Sequence, residues 1–444
     1  MSLTRRKLLT SSLAAGAALA TRKSLAQPAH GTAIVPATPA AGARKARRNH
    51  QLIVPNGSLL PWKEREGVKV FHLVAEPIKH TIAPGLDIEA WGYNGSTPGP
   101  VIEATVGDRV RIYVTNKLPE ATSVHWHAIL VPNGMDGVGG LTQKPIAPGQ
   151  TFKYELTFDR AGTFMYHPHL DEMTQLALGT QGMIVVHPKG PRAERAGFTP
   201  GRGNERRVVR DYVLMTHEMK IPIGASRPDP LAMNDFNVLT FNGKAFPATE
   251  PLLAEVGDLV RIRIGNLGPM DHHPIHLHGH TFEVVGTDGG AIPPSARHPD
   301  TTVLVPVGST RTIEFVASAP GDWPLHCHMT HHMMNQMGHD VANLVGADVR
   351  GLDAKLGRVV PGYMTMGQAG MAEMSAMAMP QPKNSISMVG GKGPHGPIDM
   401  GGMFTLLKVR DKLDAGDPGW YQAPAGTVAG EASADELARD GIKI

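Results

Sequence analysis

The chain has 444 residues, 41% apolar and 19% charged, which is the range of a globular protein of two to three domains with a buried core. Lys and Arg number 43 against 40 acidic residues, and a net charge this close to zero leaves no electrostatic footprint for a nucleic acid. A single cysteine, Cys327, excludes an intrachain disulfide, and the two counts that stand out are 22 His and 22 Met.

Residues 1–26 are predicted to be an export signal. Thr4-Arg5-Arg6-Lys7 precedes an apolar run from Leu8 to Ala20, too short to span a bilayer but right for a signal-peptide core. Ser24-Leu25-Ala26 supplies small residues for cleavage. The Arg5-Arg6 pair resembles a twin-arginine signal, the address of proteins exported already folded; an ordinary secretory signal is the alternative. Both readings export the chain, to a periplasmic or secreted location. No other segment is apolar and long enough to span a membrane. Residues 27–60 are rich in Ala and Pro and carry the basic patch Arg44-Lys45, Arg47-Arg48, and are predicted to be a flexible linker.

The body then repeats itself. VGDRVRIYVTN starts at Val106 and VGDLVRIRIGN at Val256. Apolar and polar residues alternate in both, the period of a half-buried strand. Gly149 precedes His167 by 18 residues and Gly308 precedes His326 by 18. Turns of the kind GDRV, APGQ, DRAG and APGD punctuate the copies. The predicted class is all-β, two Greek-key β-sandwich domains at 61–190 and 205–347. Residues 348–444 read as a Met-rich C-terminal extension, with nine Met between Met364 and Met403. Within it FTLLKVRD, from Phe404, could form one closing strand, and Asp435–Ile444 a short helix.

Four histidine clusters carry the chemistry. They are His125-Trp126-His127, His167-Pro168-His169, a run from His273 to His280 and another from His326 to Met337. On a strand, residues two apart face the same side. Each His-x-His, at 125/127, 167/169, 276/278 and 326/328, therefore aims two imidazoles at one place. Eight imidazoles are too many for one metal, and imidazole alone does not choose among Zn, Cu, Fe and Ni. Cys327, between His326 and His328, points to the opposite face and needs its own partners there. His332 and Met337 follow it, and His273 precedes the other pair. Two His and a Cys with a weak axial Met is the blue-copper electron-transfer set.

These clusters resemble the four copper motifs of the multicopper oxidases, the laccase-like family, in the family order over roughly residues 70–345. The resemblance implies a two-domain oxidase of cupredoxin-like sandwiches with type 1 copper in the second domain. It implies Cys327, His273, His332 and Met337 as type 1 ligands, His125 and His276 as type 2 ligands, and His127, His167, His169, His278, His326 and His328 as the type 3 pair's ligands. It implies four coppers per functional unit and one-electron oxidation of a small reductant, a phenol or Cu(I), coupled to four-electron reduction of dioxygen to water. Asp136, in GMDGVGG, resembles the family's acidic position near the trinuclear site, where it would orient bound water and help deliver protons; a turn-forming Asp-Gly is the plainer reading. Where some laccases carry an acid two places after the HCH motif, this chain has Thr330.

His272, His280, His298, His331 and His339 have no slot in the family pattern. Met329, Met333, Met334 and Trp126 read as packing residues. The Met-rich stretch either collects Cu(I), for which thioethers are soft ligands, or covers apolar gaps. Copper nitrite reductases share the two-domain architecture but carry type 1 copper in the first domain. Here Pro168, Thr122 and Met173 stand where Cys327, His273 and His332 stand in the second copy, which argues against that enzyme. A copper-binding assembly factor is disfavoured by the complete ligand set. The interval from His169 to His273 has no room for a spacer domain of roughly 100 residues or more. Two-domain oxidases of this pattern form homotrimers with a trinuclear site at each interface, and the resemblance implies the same here.

Overall fold

The computed structural model describes residues 52–189, 208–336, 351–356, 358–359, 382–388, 390–414 and 416–444, with the backbone alone of Val208, Val209, Leu352 and Asp353. The export signal, Met337, His339 and Met364 to Met379 lie outside the described residues.

Alternation builds the first sandwich. In Arg109–Asn116, Val110, Ile112 and Val114 are buried while Arg111, Tyr113 and Thr115 are half-buried on the other face. This strand lies between Val68–Ala83 and Thr151–Thr157 in a five-stranded sheet. A four-stranded sheet faces it, in the order Ile102–Thr105, Gly182–His187, Gly162–His167, His125–His127. Trp126, Tyr154, Phe158, Phe164 and Tyr166 fill the space between them.

The second sandwich repeats the first, register included. Val110 opposes Leu156, and Val260 opposes Phe315. His125 opposes His167, and His276 opposes His326. Gly182–His187 closes the first sandwich by pairing parallel with Ile102–Thr105 and antiparallel with Gly162–His167. Phe404–Arg410 does the same in the second, parallel to Leu252–Glu255 and antiparallel to Gly321–Cys327. The closing strand expected at Phe404 is therefore part of the second sandwich, beyond the boundary expected at 347, because the sheet is incomplete without it. Of the Met-rich stretch, Met403 is buried in the second core and Met400 packs on Phe246, Phe404 and Leu406. Those two methionines fill apolar space. The expected linker also ends early: Leu52–Ile53 pairs with Asp211–Tyr212, and Leu60 is buried. The C-terminal helix is Ala434–Arg439, started by a capping box between Ser433 and Glu436. Among the described residues, no helix is long and apolar enough to cross a membrane.

Alternation predicts a half-buried Leu259–Asn266, like its counterpart in the first copy, yet this strand is buried on both faces. Its outer face is covered by the first sandwich, through a shared cluster of Met165, Met183, Val185, Val213, Met215 and Leu267. The outward arginines are therefore neutralised in place. Arg263 donates to both oxygens of Asp211 at 2.8 and 2.9 Å and to Thr163 Oγ1 of the first sandwich at 2.8 Å. Arg261 pairs with Glu314. Such pairs tolerate burial only when the remaining donors are satisfied.

If Phe404–Arg410 is a core strand, Leu407→Ala, at a fully buried position, is expected to cost about 2–5 kcal/mol in urea denaturation. A loss below about 1 kcal/mol would place Leu407 outside the core.

Candidate metal centre

The strand His125–His127 lies at a sheet edge, paired with Gly162–His167. Trp126 turns into the core, which sends His125 and His127 out of the other face. There they meet His167 and His169. The His125 ring centroid stands 5.7, 5.3 and 5.5 Å from those of His127, His167 and His169. Donor atoms of His125, His127 and His167 all lie within 4.8 Å of one another.

The second nitrogen of each supported ring is held. His125 Nδ1–H donates to the Asp136 carbonyl at 2.8 Å, with the Asp136 carboxylate at 3.3 Å. His167 Nδ1–H donates to the Pro168 carbonyl at 2.8 Å. His169 Nδ1 meets Glu172 Oε1 at 3.0 Å, across the first turn of the helix Glu172–Ala177. A carbonyl only accepts, so Nδ1 carries the hydrogen and Nε2 keeps its lone pair for a metal. Burial, then the charges of neighbouring imidazoles, pushes His167 down to about 3 and keeps it neutral. Asp136 is held beside His125 by its turn: Gly137 has φ of 85°, and a Cβ there would stand 1.8 Å from the Val124 carbonyl. The turn and the support of His125 are thus one device.

The second set repeats this arrangement. His276 has ring centroids of His278, His326 and His328 at 4.7, 5.6 and 5.4 Å. His276 Nδ1–H donates to the Thr301 carbonyl and His326 Nδ1–H to the Cys327 carbonyl, both at 2.8 Å. Nε2 of His278 and Nε2 of His326 face each other at 3.1 Å. Burial pushes His326 down to about 4. A recess of about 300 Å³ opens here, lined by His276, His278, His280, Thr281 and Thr301.

Contacts between imidazoles stay within each set, His326 also stacking on Phe404 at 6.2 Å; among the described residues no ring contact joins the two sets. The topology explains this. His125 to His169 lie beside the face where the first sandwich packs on the sheet of Leu259–Asn266. His276 to His328 project from the opposite sheet of the second sandwich, whose core lies between.

The third cluster lies inside that core. Cys327 opposes Ile275 and is fully buried with it. Its Sγ is 3.4 Å from His332 Nδ1 and 3.8 Å from His273 Nδ1, and the two nitrogens are 3.2 Å apart. Donors bonded to one ion at about 2.0–2.3 Å stand roughly 3–4 Å apart, so the set fits a soft ion. Burial pushes the Cys327 thiol up to about 12, so an ion entering the site must displace its proton. Met337 lies outside the described residues.

Three carboxylates beside these rings were not anticipated: Glu172, Glu218 and Asp271. Glu218 Oε2 faces His273 Nε2 at 3.3 Å, and Asp271 Oδ2 faces His332 Nε2 at 3.4 Å. Burial opposes the charge of Glu218, but hydrogen bonds from His273 and the Asp271 backbone hold its carboxyl below the ordinary range. Only Glu172 had a local signal, three residues after His169 at the start of a helix. Of the described histidines without a family slot, His280 lines the recess beside His276 and His278 and donates Nδ1–H to the His278 carbonyl at 3.3 Å. His280 is buried between Phe315 and Trp323, His298 pairs with Asp300, His272 accepts from Val307 N–H, and His331 is exposed.

Models of the multicopper oxidases match residues 75–191 and 222–346. The chain is 34% identical to Laccase-1 of Botryotinia fuckeliana over 53% of its length and 41% of the relative's. It is 30% identical to the multicopper oxidase MmcO of Mycobacterium tuberculosis, covering 52% of this chain and 49% of that one. The aligned chain thus spans less than half of these relatives. The solved blue copper oxidase of Nitrosomonas europaea superposes with a TM-score of 0.55 at 25% identity, over 77% of this chain and 85% of that one.

His217, next to Glu218, supplies a pH test of this region. Burial pushes it down to about 4, from 6.5. Between those values the unfolded chain binds the proton and the folded one does not, so stability is lost as pH falls. Metal-free protein is expected to lose about 2 kcal/mol from this group between pH 7.5 and pH 5. In urea titrations, His217→Gln should show that much less pH dependence; an equal slope would refute it.

Proposed function

The chain belongs to the multicopper oxidase family, and we propose that it couples one-electron oxidation of a small reductant at the Cys327 site to four-electron reduction of dioxygen to water at a trinuclear site of eight histidines. The observation that carries this is the register of one strand. His326 and Cys327 are consecutive and face opposite ways, so a buried thiolate site and an outer imidazole cluster are joined by covalent bonds. Copper, when bound, supplies the one-electron steps and the binding of dioxygen. The chain supplies donors, insulation and proton transfer.

In this reading Cys327, His273, His332 and Met337 would hold type 1 copper. His125 and His276 would hold type 2 copper, and His127, His167, His169, His278, His326 and His328 the type 3 pair, four coppers per functional unit. The Asp136 carbonyl keeps the His125 hydrogen on Nδ1 and leaves the Nε2 lone pair free, and the Asp136 carboxylate, about one-third exposed, would pass protons to the site. The reductant is a phenol or Cu(I), and the protein works in the periplasm or outside the cell. The first sandwich offers no second thiolate site. Pro168 separates His167 from His169, and Thr122 is engaged with Gln175 at 2.7 Å, which disfavours nitrite reduction.

The two sets project from opposite sheets around the second sandwich, which supports a trinuclear site completed by another copy of the chain. We infer a homotrimer in which His125, His127, His167 and His169 meet His276, His278, His326 and His328 of a neighbour. Leu130 and Leu141, on the loop that carries Asp136, are 65% and 81% exposed, as suits a surface that a neighbour covers.

Copper-loaded protein should be intensely blue, and Cys327→Ser should abolish the colour while leaving the histidine-bound copper. A fully loaded, colourless wild type would refute the Cys327 assignment. His167→Ala and His326→Ala should each be inactive. Refolded together they should regain oxygen uptake, since roughly a quarter of random interfaces would carry eight intact histidines. A monomeric, fully active protein in sedimentation would rule out the shared site.

A further inference from the structure

The Cys327 site has a built partner outside the copper motifs, whose role rests on the type 1 reading of that site. Glu218, on the strand Val208–Met219, is fully buried. A buried carboxylate is costly unless donors meet its oxygens. Here Oε1 accepts from the backbone N–H groups of Met270 and Asp271, both at 2.9 Å. Oε2 faces His273 Nε2 at 3.3 Å. Gly268 makes the room: a Cβ there would stand 1.8 Å from Oε2 and 2.4 Å from Oε1. The loop before His273 is thus shaped around one carboxylate carried in from the other sheet.

An ionised carboxylate can only accept. His273 Nε2 therefore carries the hydrogen, and Nδ1, which faces Cys327 Sγ and His332 Nδ1, keeps its lone pair. Such a partner orients a metal-binding imidazole and raises its basicity. A stronger donor, with a negative charge behind it, favours Cu(II) over Cu(I).

We propose that Glu218 is a positioning residue for the type 1 copper: it fixes His273 in its Nε2–H form, aims Nδ1 at the ion and holds the site's reduction potential down.

Glu218→Gln tests this. The amide has one oxygen, which Met270 and Asp271 N–H require, so its NH₂ turns to His273 Nε2 and favours the opposite tautomer. Copper affinity at the blue site is expected to fall 10–100-fold. In the loaded variant the Cu(II)/Cu(I) equilibrium should shift at least tenfold towards Cu(I), about 59 mV upward in potential. Glu218→Asp, which keeps an acceptor-only group, should return the potential towards the wild-type value. A blue Gln variant with wild-type potential and affinity would overturn the proposal. If the Gln variant does not fold, nitrogen-15 NMR of the Cu(I)-loaded wild type decides. A slowly exchanging Nε2–H on His273 supports the proposal, and a hydrogen on Nδ1 or a fast-exchanging ring overturns it. A fully copper-loaded wild type without a blue band would instead remove the type 1 reading, and the role of Glu218 with it.

Discussion

Neighbouring side chains on a strand point to opposite faces, and the candidate centres depend on that constraint. In Gly321–Cys327 it puts Cys327 in the core of the second sandwich and His326 on the opposite face of the sheet, within one peptide bond of each other. Pairing with His273–Leu277 then repeats the division, since Ile275 lies inward opposite Cys327 and His276 outward opposite His326. The thiol site is enclosed because it belongs to the core, and the imidazole set lies at a recess of the sheet's other face, with His326 buried and His328 exposed. A slip of one residue in this register would exchange the two and destroy both.

A second regularity concerns the nitrogen of each imidazole that faces away from its cluster. Carbonyls hold Nδ1 of His125, His167, His276 and His326, which leaves Nε2 to the outer clusters. Carboxylates stand at Nε2 of His273 and His332, which leaves Nδ1 to the Cys327 site. For these six rings the tautomer is thus set by the fold before any ion arrives, with opposite sense at the two kinds of site; His127 departs from the pattern, since its Nδ1 faces His167 Nε2 at 3.4 Å. The same economy appears where the sandwiches meet, for Arg263 is buried with both Asp211 and Thr163 and has no need of water.

The position of the two outer sets is a consequence of domain packing. The first sandwich sits on one sheet of the second, and the second set of histidines projects from the other. Leu130 and Leu141, on the loop that carries Asp136 beside the first set, are left exposed.

Much of this was legible in the chain. Period-two alternation gave the strands, the repeated VGD segments gave two equivalent sandwiches, and His-x-His spacing gave the clusters, because each depends only on which face a strand residue takes. The lone cysteine between two histidines had to point away from them, which separated the thiol site from the imidazole sites. Other features depended on elements far apart in sequence. Phe404–Arg410 looked like part of a tail until its pairing closed the second sheet. Leu259–Asn266 read as half-buried, since alternation cannot reveal that another sandwich covers its polar face. Glu218 reaches His273 from 55 positions away, and a lone Glu on an apolar strand carries no local sign of that partner. Spacing within a strand is written in the sequence; which sheets come to face each other is decided by tertiary packing, because contacts between distant segments follow from the burial of whole faces.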